Sequence, residues 1–513
     1  MKATSIAVHA QTPAAEQNSA QSREPTPQNT GIIEPQTDPR PSLETRMKGP
    51  AASERIFDRF IAVADACPSA RALVHNHEAW TYGQLERASR ALALELLAKA
   101  APNELVAIVA PRSPELVLGM LACLRAGLTF VVIDAAYPRE RIKQLAETAA
   151  PGRVLTFKGA SGTGFGQIAI PAREGRAGTR SPVCFHFEKE ALETLLHSNS
   201  LPAPSIDTVG ADSIAYLLFT SGTTGCPKCI KTSHHPLVHF IGWYSRVFPV
   251  DSASRFSMLS GVGHDPVLRD IFVPLSFGAE LHIPPEGALK NPPSLFSWLM
   301  EAGVSHTHIT PQMGRVICSA RNENETLPAL RFIFSGGDML RRKLVAELAE
   351  AAPAAMVVNF YGTSETPQAM AFHPFNQTSD AADDTVPIGT GIDDAQLLVL
   401  DDALRLAAIG ARGQIAIRTK FLSLGYVGDS EATAAKFVPN PDKRDPEDRI
   451  YLTGDFGTFA KMGLWFSTGA AMIRLKSGDT ASNSPRLSGI LSASLKRRQR
   501  SSSPRRRPMG KTD

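Results

Sequence analysis

Cysteine is scarce in this chain, with six in 513 residues, at positions 67, 123, 184, 226, 229 and 318. Such scattered thiols exclude a disulfide-built scaffold and suit a reducing compartment. Cys226 and Cys229 form one C-x-x-C spacing, but no second pair completes a four-ligand zinc set. No run of about 18 apolar residues is present, which excludes a helical membrane span. The apolar stretch Ile6–Ala10 is short and contains His9, unlike a secretory signal core. A cytoplasmic location is expected. Charge of one sign is also lacking, with 54 Lys and Arg against 50 Asp and Glu. The balance is uneven along the chain. From Gly463 onward there are 11 basic residues and 2 acidic ones, so the preceding chain is net acidic and the whole-chain +4 belongs to the tail. Its stretch Lys496–Arg507 has the composition of a nucleic-acid or localisation signal, but without interleaved aromatics or a folded reader nucleic-acid binding is not expected. The Walker pattern G-x-x-x-x-G-K-S/T is absent too, which excludes a P-loop nucleotidase.

What is present is a strand-like apolar run, Ile214–Phe219, followed by Thr220-Ser221-Gly222-Thr223-Thr224-Gly225 and then Lys228. Hydroxyls and backbone N–H groups on a glycine-permitted curl make an anion cradle, and a lysine adds a point charge. A polar surface turn has the same composition. Downstream lie Phe334-Ser335-Gly336-Gly337-Asp338, Asn359-Phe360-Tyr361-Gly362-Thr363-Ser364-Glu365 and Tyr451-Leu452-Thr453-Gly454-Asp455. Trp80–Leu85, Leu124–Gly127 with Ile133-Asp134 and Tyr137-Pro138, and Gly413–Ile417 with Leu424–Tyr426 complete the series.

In this order, these segments resemble the core motifs of the acyl-adenylate-forming superfamily, over about Phe57–Lys461. The resemblance is to nonribosomal peptide synthetase adenylation domains, locally of the α-aminoadipate reductase type. It implies an α/β fold with two stacked α/β subdomains and a small distorted β-barrel. It implies ATP and Mg²⁺, with Thr220–Gly225, Lys228, Thr363 and Ser364 at the phosphates and Glu365 on the metal. Tyr361, Gly336 and Gly337 are implied at the adenine, Asn359 and Gly362 in the same motif, and Asp455 on the ribose. Two departures stand out: Leu452 replaces the family arginine beside Asp455, and Cys229 replaces the glycine after Lys228. If that glycine needs a positive φ, cysteine there costs on the order of 1 kcal/mol, and Cys229→Gly is expected to raise nucleotide affinity.

The segment His264–Phe272, H-D-P-V-L-R-D-I-F, is expected to set the substrate. By family position Asp265 pairs with a substrate ammonium, and Arg269 faces either the pocket, where it selects an acidic side chain, or the protein and solvent. The residues also read as a helix start, with Asp265 as N-cap, Pro266 at the first position and an i,i+4 pair to Arg269. His306 and His308 precede another pocket wall, Ile309–Met313, and are expected to pack rather than bind metal.

The implied reaction activates an amino acid, or a related carboxylic acid, as its adenylate with loss of pyrophosphate. The acyl group then passes to the phosphopantetheine thiol of a carrier protein in trans. A binding remnant without catalysis and an acyl-CoA ligase are the other readings, and Asp265 disfavours the ligase. Residues 1–50, rich in Pro, Gln, Ser and Thr, are expected to form a disordered leader or linker. Residues 51–462 are the expected adenylation core and 463–513 an unrelated basic tail. After Met462 the family pattern stops, and permitted codons read one frame over yield its hinge motif, D-D-Q-V-K-I-R-G-Y-R-V-E. A frameshift that removes the C-terminal subdomain and its lysine is therefore expected, with impaired activity.

Overall fold

The computed structural model describes residues 53–157, 183–187, 209–220, 227–322, 324–375, 384–440, 448–459 and 465–467. The expected leader 1–50, the residues Ser221–Cys226 and nearly all of 460–513 lie outside these, so the leader, frameshift and tail expectations do too.

Strand 105–110, Leu-Val-Ala-Ile-Val-Ala, is apolar throughout because both of its faces are covered, the mark of a central parallel strand. It lies in a seven-stranded sheet ordered 425–426, 228–233, 214–220, 129–134, 105–110, 153–157, 183–187. The strands from 214–220 to 183–187 run parallel, whereas 214–220 and 228–233 form an antiparallel hairpin. A nine-stranded sheet is ordered 390–391, 371–374, 356–361, 332–336, 306–309, 255–257, 280–283, 71–75, 78–81. Its middle six strands are parallel.

Helices fill the space between these sheets. Helix Pro114–Arg125 starts on Ser113, whose hydroxyl accepts from the Leu116 N–H, with Pro114 at the first position. Nearly every residue of it is buried. A Cβ on Gly119 would sit 3.2 Å from Leu155 and 3.3 Å from Ile108, so glycine lets this helix lie close on the sheet. Arg125 at its end donates to the Glu86 carboxylate at 3.0 Å and so ties it to helix Tyr82–Leu97. That second helix begins with a capping box between Thr81 and Gln84. One apolar cluster runs from this layer through Phe240, Trp243 and Phe256 to Phe334 and Phe360.

A third, antiparallel sheet is ordered 395–400, 412–419, 449–459, 437–439, with 465–467 on strand 449–459. Where the resemblance implies a small barrel, this sheet stays open among the described residues. A buried ion pair fixes its strands: Arg418, fully buried, donates from Nε and Nη2 to Asp448 at 2.8 and 2.6 Å. Arg418 also reaches Gln396, and Asn440 donates to Asp448 at 3.1 Å, so the charge pair links strands 395–400 and 412–419 to the residues that flank strands 449–459 and 437–439.

Candidate functional site

The charged and glycine-bearing motifs gather where the parallel strands end. Strand 332–336 finishes at Gly336, whose absent Cβ would lie 2.9 Å from the Phe360 carbonyl on the neighbouring strand. Gly337 follows with φ +82°, a conformation that any side chain would strain. Strand 356–361 ends at Tyr361, and its hydroxyl donates to Asp455 Oδ2 at 2.8 Å. Tyr361 and Asp455 are thereby brought together across 94 residues of sequence. Asp455 follows Gly454, at φ +86°, and its N–H donates to Thr453 Oγ1 at 3.0 Å. Leu452, in the place of the family arginine, pairs with Ala416 and packs on the Leu398–Leu400 cluster, while the Lys436 ammonium lies 3.6 Å from where a Cβ on Gly454 would sit.

Asn359 points away from this group and donates 2.8 Å to the Pro387 carbonyl, a bond that holds a neighbouring loop. Thr363 to Thr366 form a turn, with the Thr363 N–H on Thr366 Oγ1 at 3.0 Å and the Thr366 N–H on the Thr363 carbonyl at 3.0 Å. Ser364 lies half-buried within that turn. Glu365 is buried: Oε1 accepts from the Tyr426 hydroxyl at 2.8 Å, while Oε2 has no hydrogen-bond partner among the described residues. Lys228 is half-exposed, its Nζ 3.0 Å from Asp429 Oδ2 and 5.0 Å above the Tyr426 ring. Thr220 closes strand 214–220 opposite Lys228, and Ser221, Gly222, Thr223, Thr224 and Gly225 lie outside the described residues.

Cys229 corrects an expectation. It sits within strand 228–233 opposite Phe219, buried, and is not among the positive-φ residues. No backbone strain attaches to cysteine there. Burial pushes its thiol up to about 12, so it behaves as a small apolar group.

The substrate segment forms helix Pro266–Leu275, which is buried on every side. Asp265 occupies its N-cap position but makes no capping bond. Its carboxylate instead accepts from the Gln368 backbone N–H at 2.6 Å and the Gln368 side-chain amide at 2.8 Å. Gln368 adopts φ +73° to deliver both donors. The i,i+4 pair with Arg269 does not form: Arg269 has no carboxylate within ion-pair distance among the described residues. Its guanidinium lies 5.5 Å over the Phe360 ring, and its Nε has no hydrogen-bond partner among the described residues. Both groups are about 95 % buried. Burial raises Asp265 from 3.8 to about 7 despite the pull of nearby Arg269. Burial likewise lowers Arg269, against the attraction of Asp265 and Asp270.

Asp270, one residue on, accepts from His308 Nδ1 at 2.9 Å and from the Ser260 N–H at 2.9 Å. His308 packs among Tyr244, Phe334 and Phe360, as expected of a packing residue, and burial lowers its pKa. Its Nε2, like the Tyr244 hydroxyl, is buried without a partner. Sequence reading missed Gln368, Asp270 and Asp429. Only Asp270 carried a signal, as a second acid in the segment already singled out.

This constellation matches a known class. The family model "AMP-binding enzyme" matches residues 60–427, and the chain belongs to that family of acyl-adenylate-forming enzymes. It is 32% identical over 471 residues to the L-2-aminoadipate reductase large subunit of Penicillium chrysogenum, covering 80% of this chain and 32% of that protein. It is 30% identical over 406 residues to tyrocidine synthase 3 of Brevibacillus parabrevis, covering 79% of this chain and 6% of that protein. The chain thus spans about a third or less of these curated relatives. A crystal structure of the nonribosomal peptide synthetase FmoA3 with AMPPNP bound superposes with TM-score 0.73 at 28% identity, over 82% of this chain and 43% of that one. Among the described residues no helix is long and apolar enough to cross a membrane.

Proposed function

We propose that the protein activates an amino acid bearing a second carboxylate, by ATP-dependent adenylation of a carboxyl group. The observation that carries this reading is the pair of buried, opposite charges at the start of one helix, Asp265 and Arg269, that make no direct ion pair. Buried charges without a direct ion pair are costly, and a ligand of complementary charge offsets that cost. A substrate ammonium answers Asp265 and a second carboxylate answers Arg269, with the Tyr244 hydroxyl and His308 Nε2 as further polar contacts. The L-2-aminoadipate reductases among the relatives agree with a substrate of this kind.

In this reading Lys228 and the segment Thr220–Gly225 receive the ATP phosphates, with Thr363 and Ser364 beside them. Tyr361, Gly336, Gly337 and Gly362 shape the adenine site, Asn359 anchors it, and Asp455 takes the ribose hydroxyls. Glu365 fits Mg²⁺: its unpartnered Oε2 is a hard oxygen donor, and Mg²⁺ at phosphates is held by one or two carboxylates. The metal supplies charge neutralisation at the phosphates. Among the described residues no group of three metal-binding side chains gathers.

The protein's own part in the reaction is positioning and charge stabilisation. Asp265 and Arg269 fix the substrate, and Lys228 balances charge as the carboxylate displaces pyrophosphate. In the same reading the acyl group then goes to the phosphopantetheine thiol of a carrier protein in trans, in the cytoplasm.

The test is pyrophosphate exchange across a panel of amino acids. Dicarboxylic amino acids are expected to drive exchange above glutamine or leucine. Arg269→Leu is expected to reduce that preference about 10- to 100-fold, the weight of a charged hydrogen bond. Exchange that ignores the second carboxylate overturns the substrate assignment, and absent exchange overturns the activity.

A further inference from the structure

Lys228 is already occupied by a carboxylate. Strand 425–426 lies antiparallel on strand 228–233, with Gly425 opposite Lys231 and Tyr426 opposite Ile230. The Val427 N–H donates to the Cys229 carbonyl at 2.7 Å, so the chain runs back towards Lys228. Gly428, at φ +70° with open space around it, then turns the backbone and presents Asp429. The two oxygens of that carboxylate divide their work. Oδ1 accepts from the Ala432 N–H at 2.9 Å and caps helix Ser430–Lys436, while Oδ2 takes the Lys228 ammonium at 3.0 Å. Both bonds hold the Asp429 carboxyl below its ordinary range. Three residues before Asp429, Tyr426 lies under Lys228 and donates to Glu365. Within the segment 425–429, Tyr426 and Asp429 therefore engage Glu365 and Lys228, the two charged groups that the proposed function assigns to Mg²⁺ and to the phosphates.

We propose that Asp429 is an internal competitor of the ATP phosphates for Lys228, a latch that the nucleotide displaces on binding. It rests on the reading of Lys228 as a phosphate ligand. An ammonium is a compact point charge on a flexible stem, and it exchanges one anionic oxygen for another without rebuilding the site. The Lys228 and Asp429 side chains are 32% and 40% exposed, so water screens the pair and it opens readily. The latch thus lowers nucleotide affinity modestly rather than blocking the site. It also withholds Lys228 from other anions until a ligand with several negative charges arrives.

The experiment is ATP binding by calorimetry, without amino acid, to the whole chain at low ionic strength. Asp429→Asn keeps a side-chain oxygen for the helix cap and removes the charge from Lys228. Its Kd for ATP is expected to fall about two- to fivefold, the size of an exposed ion pair, and the gain is expected to shrink as salt is added. In a Lys228→Ala background the Asp429→Asn change is expected to have no effect. Asp429→Ser, which also caps, is expected to reproduce the gain if the asparagine variant folds poorly. Equal or weaker ATP binding by both folded variants overturns the latch while leaving the nucleotide site standing. No ATP binding by the parent or the variants overturns the latch and the adenylation reading together.

Discussion

Replacing Asp265 by asparagine is expected to move stability and activity in opposite directions, with a pH dependence fixed by one carboxyl group. Burial raises Asp265 from 3.8 to about 7 in the fold. A raised acid favours the folded state below the unfolded pKa, and that contribution is lost as pH climbs through the folded value. Between about pH 4 and pH 7 the parent protein therefore loses on the order of 1.4 kcal/mol per pH unit at this site, levelling off near 4 kcal/mol. Asparagine carries no charge and escapes the loss. Its carbonyl oxygen accepts from the Gln368 N–H, and its amide meets the otherwise unpartnered Gln368 Oε1 once that side chain flips.

The stability assay is a pair of thermal melts across pH 5 to 8.5. With roughly 400 residues unfolding at about 2.1 cal/mol/K each, a gain near 4 kcal/mol raises Tm by about 5 °C. Asp265→Asn is expected to exceed the parent by that much at pH 8 and by under about 2 °C at pH 5. Amino-acid-dependent exchange is expected to fall at least about tenfold, because no carboxylate faces the ammonium. In the parent, amino-acid affinity is expected to rise with pH through about 7 as Asp265 ionises. A stability gap that does not widen with pH, or an asparagine variant less stable than the parent at pH 8, refutes the burial argument.

Three further outcomes follow from particular contacts. Arg418→Met leaves Asp448 buried without its cation and is expected to cost about 3–5 kcal/mol in chemical denaturation, with much of the loss recovered when Asp448→Leu is added. Cys229→Gly is expected to lower stability by about 1–2 kcal/mol and to leave ATP affinity unchanged, since the cysteine is an unstrained, buried strand residue. Gly362→Ala places a Cβ 2.9 Å from the Gln368 carbonyl, which displaces the residue that holds Asp265. A higher KM for the amino acid with little change in ATP binding is expected in exchange kinetics.

The sequence was most legible where burial imposes a pattern along the chain. The run Leu105–Ala110 is apolar along its length and forms a strand over those residues, and Thr81 with Gln84 supplies a capping-box pattern where helix Tyr82–Leu97 begins. The order of strands in the sheets was not legible, because pairing joins segments as far apart as Leu73 and Leu281. The same limit governs the site. Tyr361 meets Asp455 and Gln368 meets Asp265 across 94 and 103 residues, and neither bond leaves a local trace. Asp429 lacked even a motif, since its contact with Lys228 depends on where strand 425–426 docks.

Asp265 shows how local and distant forces were weighed. The local rules predict a capping aspartate followed by an ion pair one turn along, together worth about 1 kcal/mol. The fold gives up both and brings Gln368, at a strained φ, to hold the carboxylate with two donors. Backbone strain at such a residue costs on the order of 1–3 kcal/mol, and the buried carboxylate adds its own penalty. A chain selected for stability alone would pair Asp265 with Arg269 or replace both by apolar residues of similar volume. Keeping two buried charges out of ion-pair contact, with Arg269 Nε lacking a hydrogen-bond partner among the described residues, makes physical sense when a third group completes them. The group that fits is zwitterionic at one end and anionic at the other, and the arrangement predicts that such a ligand alone, without ATP, raises Tm more than a monocarboxylic amino acid at equal concentration.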